Sequence, residues 1–231
     1  MANIMPINIP LPNEPVIASY DWVDLAEGYG YVVLNGLVCG KGTEETDTET
    51  RVPMLMKNVI STRFNESNAS SLSLASGLAT SVAKFEATPF NTPRVIGGEA
   101  FVTFAWCYYK DSSPSTRQGR GMAVAQVMIN DVVIGSAITR RLSTAVAMAA
   151  GNSAREMASL KITLPQTPVK IGDVLSVNIT FRNESEVQGD FSSGVRIAHD
   201  PLDRDTTNFN KTDDDLASTS FVAYIPFKID L

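Results

Sequence analysis

An alternation of apolar and polar residues in the segment 160–183, LKITLPQTPVKIGDVLSVNITFRN, constrains the fold of this chain more than any other feature. Val177, Ile179 and Phe181 are apolar and alternate with polar residues at positions 178, 180 and 182. Side chains of a strand point to opposite faces at period two, so this pattern gives one apolar and one polar face. A strand, a Pro-marked turn and an Ile171-Gly172-Asp173 corner precede it. The segment predicts a half-buried antiparallel strand and hence an all-β chain.

Other segments have the same character. Further strands are predicted at residues 29–38, 52–64, 99–109 and 220–231, and Pro226 implies an open ladder position or a sheet edge in the last of them. Residues 122–129 and 132–138 flank Asn130-Asp131, which predicts a tight hairpin because both residues tolerate positive φ. Two regions stay open: residues 72–83 as a short helix or irregular crossing loop, and residues 140–158 as a helical turn or mobile loop.

These elements predict an antiparallel two-sheet, jelly-roll-like sandwich with an extended N-terminal arm. A chain of 231 residues can bury one sizeable core, so we expect residues 16–231 to form a single domain. Residues 1–15 contain four prolines, which remove backbone donors and disfavour a helix or a central strand. Such an arm either stays loose or lies along a neighbouring subunit.

Charge and composition restrict the function. The balance of 19 Lys+Arg against 25 Asp+Glu gives a net charge of −6, which argues against a nucleic-acid partner because phosphate contacts need a basic surface. No apolar run is long enough to span a bilayer, and the first residues do not form a secretory signal. Cys39 and Cys107 lie in strand-like runs and are predicted to be buried free thiols.

The sequence offers little for catalysis. His199 is the single histidine, and its loop-like surroundings predict a surface side chain rather than a catalytic base. The chain contains no G-x-S-x-G elbow, phosphate-binding glycine loop or dinucleotide motif. We therefore expect no catalytic residues and no cofactor.

One acidic cluster is the best candidate site. It lies between residues 200 and 215 and consists of Asp200, Asp203, Asp205, Asp213, Asp214 and Asp215. Carboxylates at short spacing can hold Ca²⁺, with Asp203, Asp205 and Asp213 as the weak candidate ligands. The spacing does not match an EF-hand, and Arg204 and Lys211 dilute the charge, so a solvated loop without metal is favoured.

Several longer segments carry a family resemblance. They are YDWVDLAEGYGYVVLNG, VPMLMKNVISTRFN, FEATPFNTPRVIGGEAFVTFAWCYY, VAQVMINDVVIGSA and LPQTPVKIGDVLSVNITFRN. In this order they resemble the jelly-roll structural proteins of tailed viruses, such as capsid decoration and minor capsid proteins, and the pattern is also similar to TNF/C1q-like domains. The resemblance implies a non-enzymatic virion protein, synthesised in the host cytoplasm. It further implies a homotrimer that binds the major capsid protein or other virion proteins, with the arm as a tether.

Two rival functions remain. A carbohydrate- or receptor-binding module of a viral fibre would use exposed aromatic side chains, for which Trp22, Tyr29, Tyr108 and Tyr109 are candidates. An enzyme of the sandwich class, such as a glycan lyase or hydrolase, would need close, buried carboxylates that the sequence does not single out.

Overall fold

The structure is a computed structural model that describes residues 18–19, 29–40, 51–57, 66–69, 79–110, 120–143, 153–183, 193–204, 209 and 218–228. Every regular element in these ranges is a strand, which confirms the all-β prediction. The strands are β1 (Ala18–Ser19), β2 (Tyr29–Gly40), β3 (Arg51–Met56), β4 (Glu66–Ala69), β5 (Ala79–Ala87), β6 (Arg94–Lys110), β7 (Arg120–Ile129), β8 (Val132–Ile138), β9 (Leu142–Ser143), β10 (Ser153–Val169), β11 (Leu175–Asn183), β12 (Ser193–Ala198) and β13 (Phe221–Lys228).

Hydrogen bonding joins the strands into one large mixed sheet. Ten of them follow the order β4-β12-β6-β13-β2-β3-β5-β11-β7-β8, while β1, β10 and β9 pair with β2, β6 and β7. The described pairs are antiparallel except for β3–β5, which is parallel. The predicted arm, residues 1–15, lies outside the described residues.

The sheet curls around one core. Buried residues of nine strands form a continuous apolar cluster, with Trp106, Phe104, Phe85, Phe181 and Phe221 as its largest members. Strand β8, at one end of the path, packs on β10: a Cβ at Gly135 would lie 2.6 Å from Leu164 Cδ2 and 2.8 Å from Ile162 Cγ2. Strand β8 therefore lies against β10, although the two strands share no ladder.

The alternation that predicted β11 is confirmed. Val177, Ile179 and Phe181 are fully buried, and the residues between them lie on the outer face. Strand β11 pairs antiparallel with β5 on one side and β7 on the other. The hairpin is also confirmed, because Asn130 and Asp131 have φ of 48° and 66° between β7 and β8.

Three local predictions need correction. Residues 153–158 belong to β10 rather than to a helical turn or loop, because their pairing with β6 overrides a weak local preference. Residues 79–83 belong to β5 rather than to a helix, whereas 72–78 and 144–152 lie outside the described residues. The expected turn at Pro165 and Pro168 is part of β10, where the register with β6 shifts between Leu164 and Thr167.

The closing strand is internal rather than an edge strand. β13 pairs with β2 and with β6, and the β6 ladder is irregular between Tyr224 and Phe227. Pro226 lies in that gap, so the alternative of an open ladder position is confirmed. Among the described residues, no helix is long and apolar enough to cross a membrane.

Candidate functional site

The structure describes only the first part of the acidic cluster, residues 200–204. They form a polar turn directly after β12. The side chain of Asp200 is fully buried and accepts hydrogen bonds from Arg204 Nε (2.9 Å) and Arg204 Nη2 (3.0 Å). It also accepts from the backbone N–H groups of Leu202 (3.1 Å) and Arg204 (2.7 Å). The carboxylate raises the pKa of Arg204 above its ordinary value, mainly through their side-chain hydrogen bond.

Asp203 also accepts hydrogen bonds, in its case from the segment just before β13. Its φ is 54°, and its Oδ1 accepts from Ser218 Oγ (2.8 Å) and from the backbone N–H of Thr219 (2.6 Å). The hydroxyl of Thr219 in turn donates to the carbonyl oxygen of Arg204 at 2.9 Å. The Asp200 carboxylate therefore closes the turn itself, whereas Asp203 joins the turn to the segment before β13. Oδ1 of Asp203, one of the proposed Ca²⁺ ligands, has protein donors.

The other calcium candidates, Asp205 and Asp213, lie outside the described residues, as do Asp214 and Asp215. Within the described ranges, no three His, Cys, Asp or Glu residues are close enough to hold a metal ion. The prediction of a calcium site there remains an untested alternative.

The prediction for His199 is wrong. Its side chain is fully buried, and its ring meets Phe85 edge-on with centroids 5.3 Å apart. The chain continues inward after β12, so that Val195, Ile197 and His199 are all buried. The imidazole packs there as an aromatic ring. Cys107 is a buried free thiol as predicted, whereas the side chain of Cys39 lies outside the described part.

A surface that the sequence did not single out lies on the β7–β8 hairpin. We call it the hairpin face, and it consists of Val124, Met128, Val133 and Ile138. In the β7–β8 register, Val124 stands opposite Ile138 and Met128 opposite Val133, so the four side chains share the outer face. Ile138 is 49% and Val133 44% exposed. Both strands are nearly continuous apolar runs in the sequence, so it did not indicate which side would be covered.

Polar groups divide the hairpin face, because Gln126 stands opposite Ser136 between the Val124–Ile138 and Met128–Val133 pairs. Gln126 Oε1 accepts from Asn178 Nδ2 at 3.2 Å, and Asn178 Oδ1 accepts from Ser81 Oγ at 2.9 Å. The hairpin face itself carries no charge, although Lys84 pairs nearby with Glu86 and with Asp131. The Asp131 and Glu86 hydrogen bonds raise the pKa of Lys84, so it stays charged. Exposed apolar side chains interspersed with hydrogen-bonding groups are common in protein interfaces.

Three loops form a cross-linked tip beside the hairpin face. Asn130 donates from its backbone N–H to the carbonyl of Val174 (2.9 Å) and from Nδ2 to Asp173 Oδ1 (2.8 Å). The backbone of Phe90 exchanges hydrogen bonds with Asp173 and Gly172, at 2.9 and 2.8 Å. Gly172 has φ of 91°, which favours glycine.

The tip carries its own exposed apolar groups. Ile171 is 68% and Val132 65% exposed, the largest fractions among the large apolar side chains of the described residues. The hydrogen bonds that the Lys170 backbone N–H and Asn130 donate to Asp173 lower the pKa of this carboxylate. The tip is therefore a preformed surface and not a loose loop.

The structure describes none of the four aromatic side chains that the sequence offered for sugar binding. Trp22 lies outside the described residues, and so do the side chains of Tyr29, Tyr108 and Tyr109. A different aromatic group occupies the outer face of β6 and β13, where Tyr224 is 39% exposed and stands opposite Phe101. Lys161, opposite Phe101 on β10, pairs with Glu99.

Comparisons with known proteins assign no family. No family model matches the sequence, and no curated protein matches it significantly. Among solved structures, a CocE/NonD family hydrolase from Staphylococcus aureus is 10% identical with a TM-score of 0.34, over 81% of this chain and 43% of its own. An aminopeptidase from a marine sediment Thaumarchaeota archaeon is 6% identical with a TM-score of 0.44, over 87% and 37%.

A viral particle is also among the similar structures. The VP2 subviral particle of infectious bursal disease virus is 6% identical with a TM-score of 0.33, over 82% of this chain and 42% of that one. The chain spans less than half the length of these solved chains. The similarity is a distant one of β-rich folds, shared by hydrolases and viral capsid proteins alike, and it assigns no function.

Proposed function

We propose that this chain is a non-enzymatic structural component of a virus particle, acting as a decoration or minor capsid protein. It associates with copies of itself, as a trimer, and binds the major capsid protein or other virion proteins. The hairpin face carries this proposal. Val133 and Ile138 expose large apolar side chains on a strand whose other face is in the core, and exposed apolar groups rimmed by polar residues are typical of interaction sites.

The rigidity of the neighbouring tip supports the proposal. Association costs less when the contacting loops are already ordered. The bonds of Asn130 and Asp173 order three loops before any partner arrives. Ile171 and Val132 then add apolar area to the hairpin face at little entropic cost.

The fold proposed for this function is a jelly-roll-like sandwich in which the curled sheet makes two facing layers. Contact of Gly135 with Ile162 and Leu164 brings β8 against β10 although the two strands are not hydrogen-bonded neighbours. One apolar cluster fills the space between the layers. A capsid component requires such a stiff scaffold with its specificity in outer surfaces.

The non-enzymatic part of the proposal is supported by how the described acidic groups are used. Asp200 and Asp203 accept hydrogen bonds from Arg204, Ser218 and Thr219 and so close a turn. Their oxygens serve the structure of the turn between β12 and β13.

The experiment is the assembly state of the full chain and of a Val133→Lys/Ile138→Lys variant, measured by sedimentation velocity. We expect the parent to form a trimer and the variant to sediment as a monomer with an unchanged melting temperature. A Leu202→Lys variant is the matched control, since Leu202 is 46% exposed elsewhere on the surface. Unchanged assembly of the double variant, or a monomeric parent at about 100 μM, a concentration at which a Kd near 1 μM leaves almost only complex, contradicts the proposal.

A carbohydrate-binding module of a viral fibre is the second candidate. It is favoured by Tyr224, whose exposed ring stands beside Phe101 and the Lys161–Glu99 pair on one outer face. Aromatic faces next to polar groups suit sugar rings. A glycan array with the parent and with Tyr224→Ala tests it, and a stable monomer that binds a sugar through Tyr224 would replace the capsid proposal.

A further inference from the structure

Two neighbouring polar atoms in the core lack a hydrogen-bond partner among the described residues. They are Nε1 of Trp106 on β6 and Oε2 of Glu156 on β10. Trp106 is fully buried, and the side chain of Glu156 is only 9% exposed. Buried donors and acceptors of native proteins nearly always have a partner, because an unmade hydrogen bond leaves the desolvation of the group uncompensated. Both atoms therefore need a partner that the described side chains do not supply.

The strand register brings the two side chains together. Glu156 stands directly opposite Trp106 in the β6–β10 ladder. Residues opposite each other in an antiparallel pair have their side chains on one face, with Cβ atoms about 5 Å apart. This face is turned to the core, because Trp106 belongs to the apolar cluster and so does Ala158, two residues after Glu156. The indole and the carboxylate therefore extend side by side into the same space.

The groups around these two atoms are already used. Oε1 of Glu156 accepts from Arg140 Nε at 2.6 Å, and the Arg140 side chain is 77% exposed. The carboxylate is thus bonded from the surface side, whereas Oε2 is on the buried side. The backbone at Trp106 is paired with β10 on one side and with β12 on the other. The ring of Phe181 lies against Trp106, with centroids 6.0 Å apart, and offers no polar group.

The two atoms together determine which chemistry can bind between them. An indole N–H only donates, and a carboxylate only accepts. A cation would be repelled by the N–H group and an anion by the carboxylate, whereas a neutral group that accepts and donates suits both. Both atoms are closed off from solvent, so the smallest such molecule, water, is the ligand that fits.

We propose that one ordered water molecule binds between Trp106 and Glu156, accepting from Nε1 and donating to Oε2. Two protein partners suffice, since a buried water makes about two to four hydrogen bonds. The water completes a chain of hydrogen bonds from β6 through Glu156 of β10 to Arg140, two residues after β8 ends. The inference is independent of the proposed self-association, because all these groups belong to one chain.

The test is magnetisation transfer from water to the indole in the full chain. The Hε1 signal of Trp106 is identified by its loss in Trp106→Phe, since Trp22 is the second tryptophan. We expect nuclear and rotating-frame Overhauser effects of opposite sign from water to this proton, the signature of a long-lived bound molecule. Glu156→Leu, which removes the acceptor, should abolish them. Glu99→Leu, the matched control at an exposed carboxylate of β6, should leave them unchanged.

A crystal structure of the parent chain decides the question if Glu156→Leu does not fold. It should show an ordered water within about 3.2 Å of both Nε1 of Trp106 and Oε2 of Glu156. A direct hydrogen bond between the two side chains, or an indole N–H without water, overturns the inference. Overhauser effects as strong in Glu156→Leu as in the parent also overturn it, because the water would then be held without Glu156.

Discussion

At the scale of single residues, buried polar groups account for the order of the turn after β12. Asp200 is fully buried and has four donors around its two oxygens, two from the Arg204 side chain and two from backbone N–H groups. A buried carboxylate is tolerated only with such a set of donors, because desolvation otherwise costs several kcal/mol. The turn follows β12 and the buried His199, so its order is part of the fold.

Replacing Asp200 should therefore be costly. We expect Asp200→Ala to lower the free energy of unfolding by about 2–3 kcal/mol, below the usual range for a buried pair because Arg204 is partly exposed. Urea denaturation measures it. Lys161→Ala, which breaks the exposed pair with Glu99, is the matched control and should change stability by less than about 1 kcal/mol. Equal effects of the two variants would show that burial of Asp200 contributes nothing.

Asp173 should give the tip a dependence on pH. Its pKa is lowered in the folded chain, first by the hydrogen bond from the backbone N–H of Lys170 and then by Asn130. A lowered folded pKa means that its stabilisation is complete above the ordinary Asp pKa of about 3.9 and is lost as pH falls through the folded value. In Asp173→Asn the melting temperature should fall less than in the parent as the pH is lowered from about 5 through and below the ordinary Asp pKa of about 3.9. A pH profile identical to that of the parent would contradict this role.

At the scale of strands, the contact between β8 and β10 decides how the sheet curls. Gly135 has no side chain where Ile162 and Leu164 of β10 approach, and Thr163 O lies 3.0 Å from the position of its absent Cβ. Arg140, two residues after β8 ends, adds a bond from Nε to Glu156 Oε1 of β10 at 2.6 Å. The two strands are therefore held close without a shared ladder.

A methyl group at position 135 should separate them. We expect Gly135→Ala to cost about 1–3 kcal/mol in the free energy of unfolding, because backbone on β10 as well as side chains must move. Ser136→Ala, at the exposed neighbouring position, should stay within about 0.5 kcal/mol. The measurement is chemical denaturation of both variants. A neutral Gly135→Ala would mean that β8 and β10 are not in close contact.

At the scale of the whole molecule, net charge and apolar surface act against each other in association. Each copy carries a net charge of −6, so copies repel at long range. The hairpin face is uncharged, and contact through it adds no attractive charge pairs. Salt should therefore affect assembly through repulsion alone.

We accordingly expect added salt to strengthen assembly. Raising NaCl from about 20 to 300 mM shortens the Debye length from roughly 20 to 6 Å and screens the repulsion between copies. The dissociation constant from sedimentation equilibrium should fall severalfold over this range, whereas a contact through ion pairs would weaken. An increase in the dissociation constant would contradict an uncharged interface.

Sequence periodicity was reliable where one strand face is in the core. Val177, Ile179 and Phe181 predicted β11, and Asn130-Asp131 predicted the hairpin, since both signals depend on neighbouring residues only. Cys107 was predicted buried for the same reason. The strand at residues 153–158 was missed because its pairing with β6 is a contact between distant segments, which no local pattern contains.

What the sequence by itself determined is the strand class, the turns and the proline pattern of the arm, because each follows from backbone geometry within a few residues. Only the tertiary structure decided that His199 is buried, that β13 is an internal strand and that β8 ends the strand order with exposed apolar side chains on its outer face. Burial and edges are properties of the whole sheet, since they depend on which distant strands lie alongside and which face each leaves uncovered.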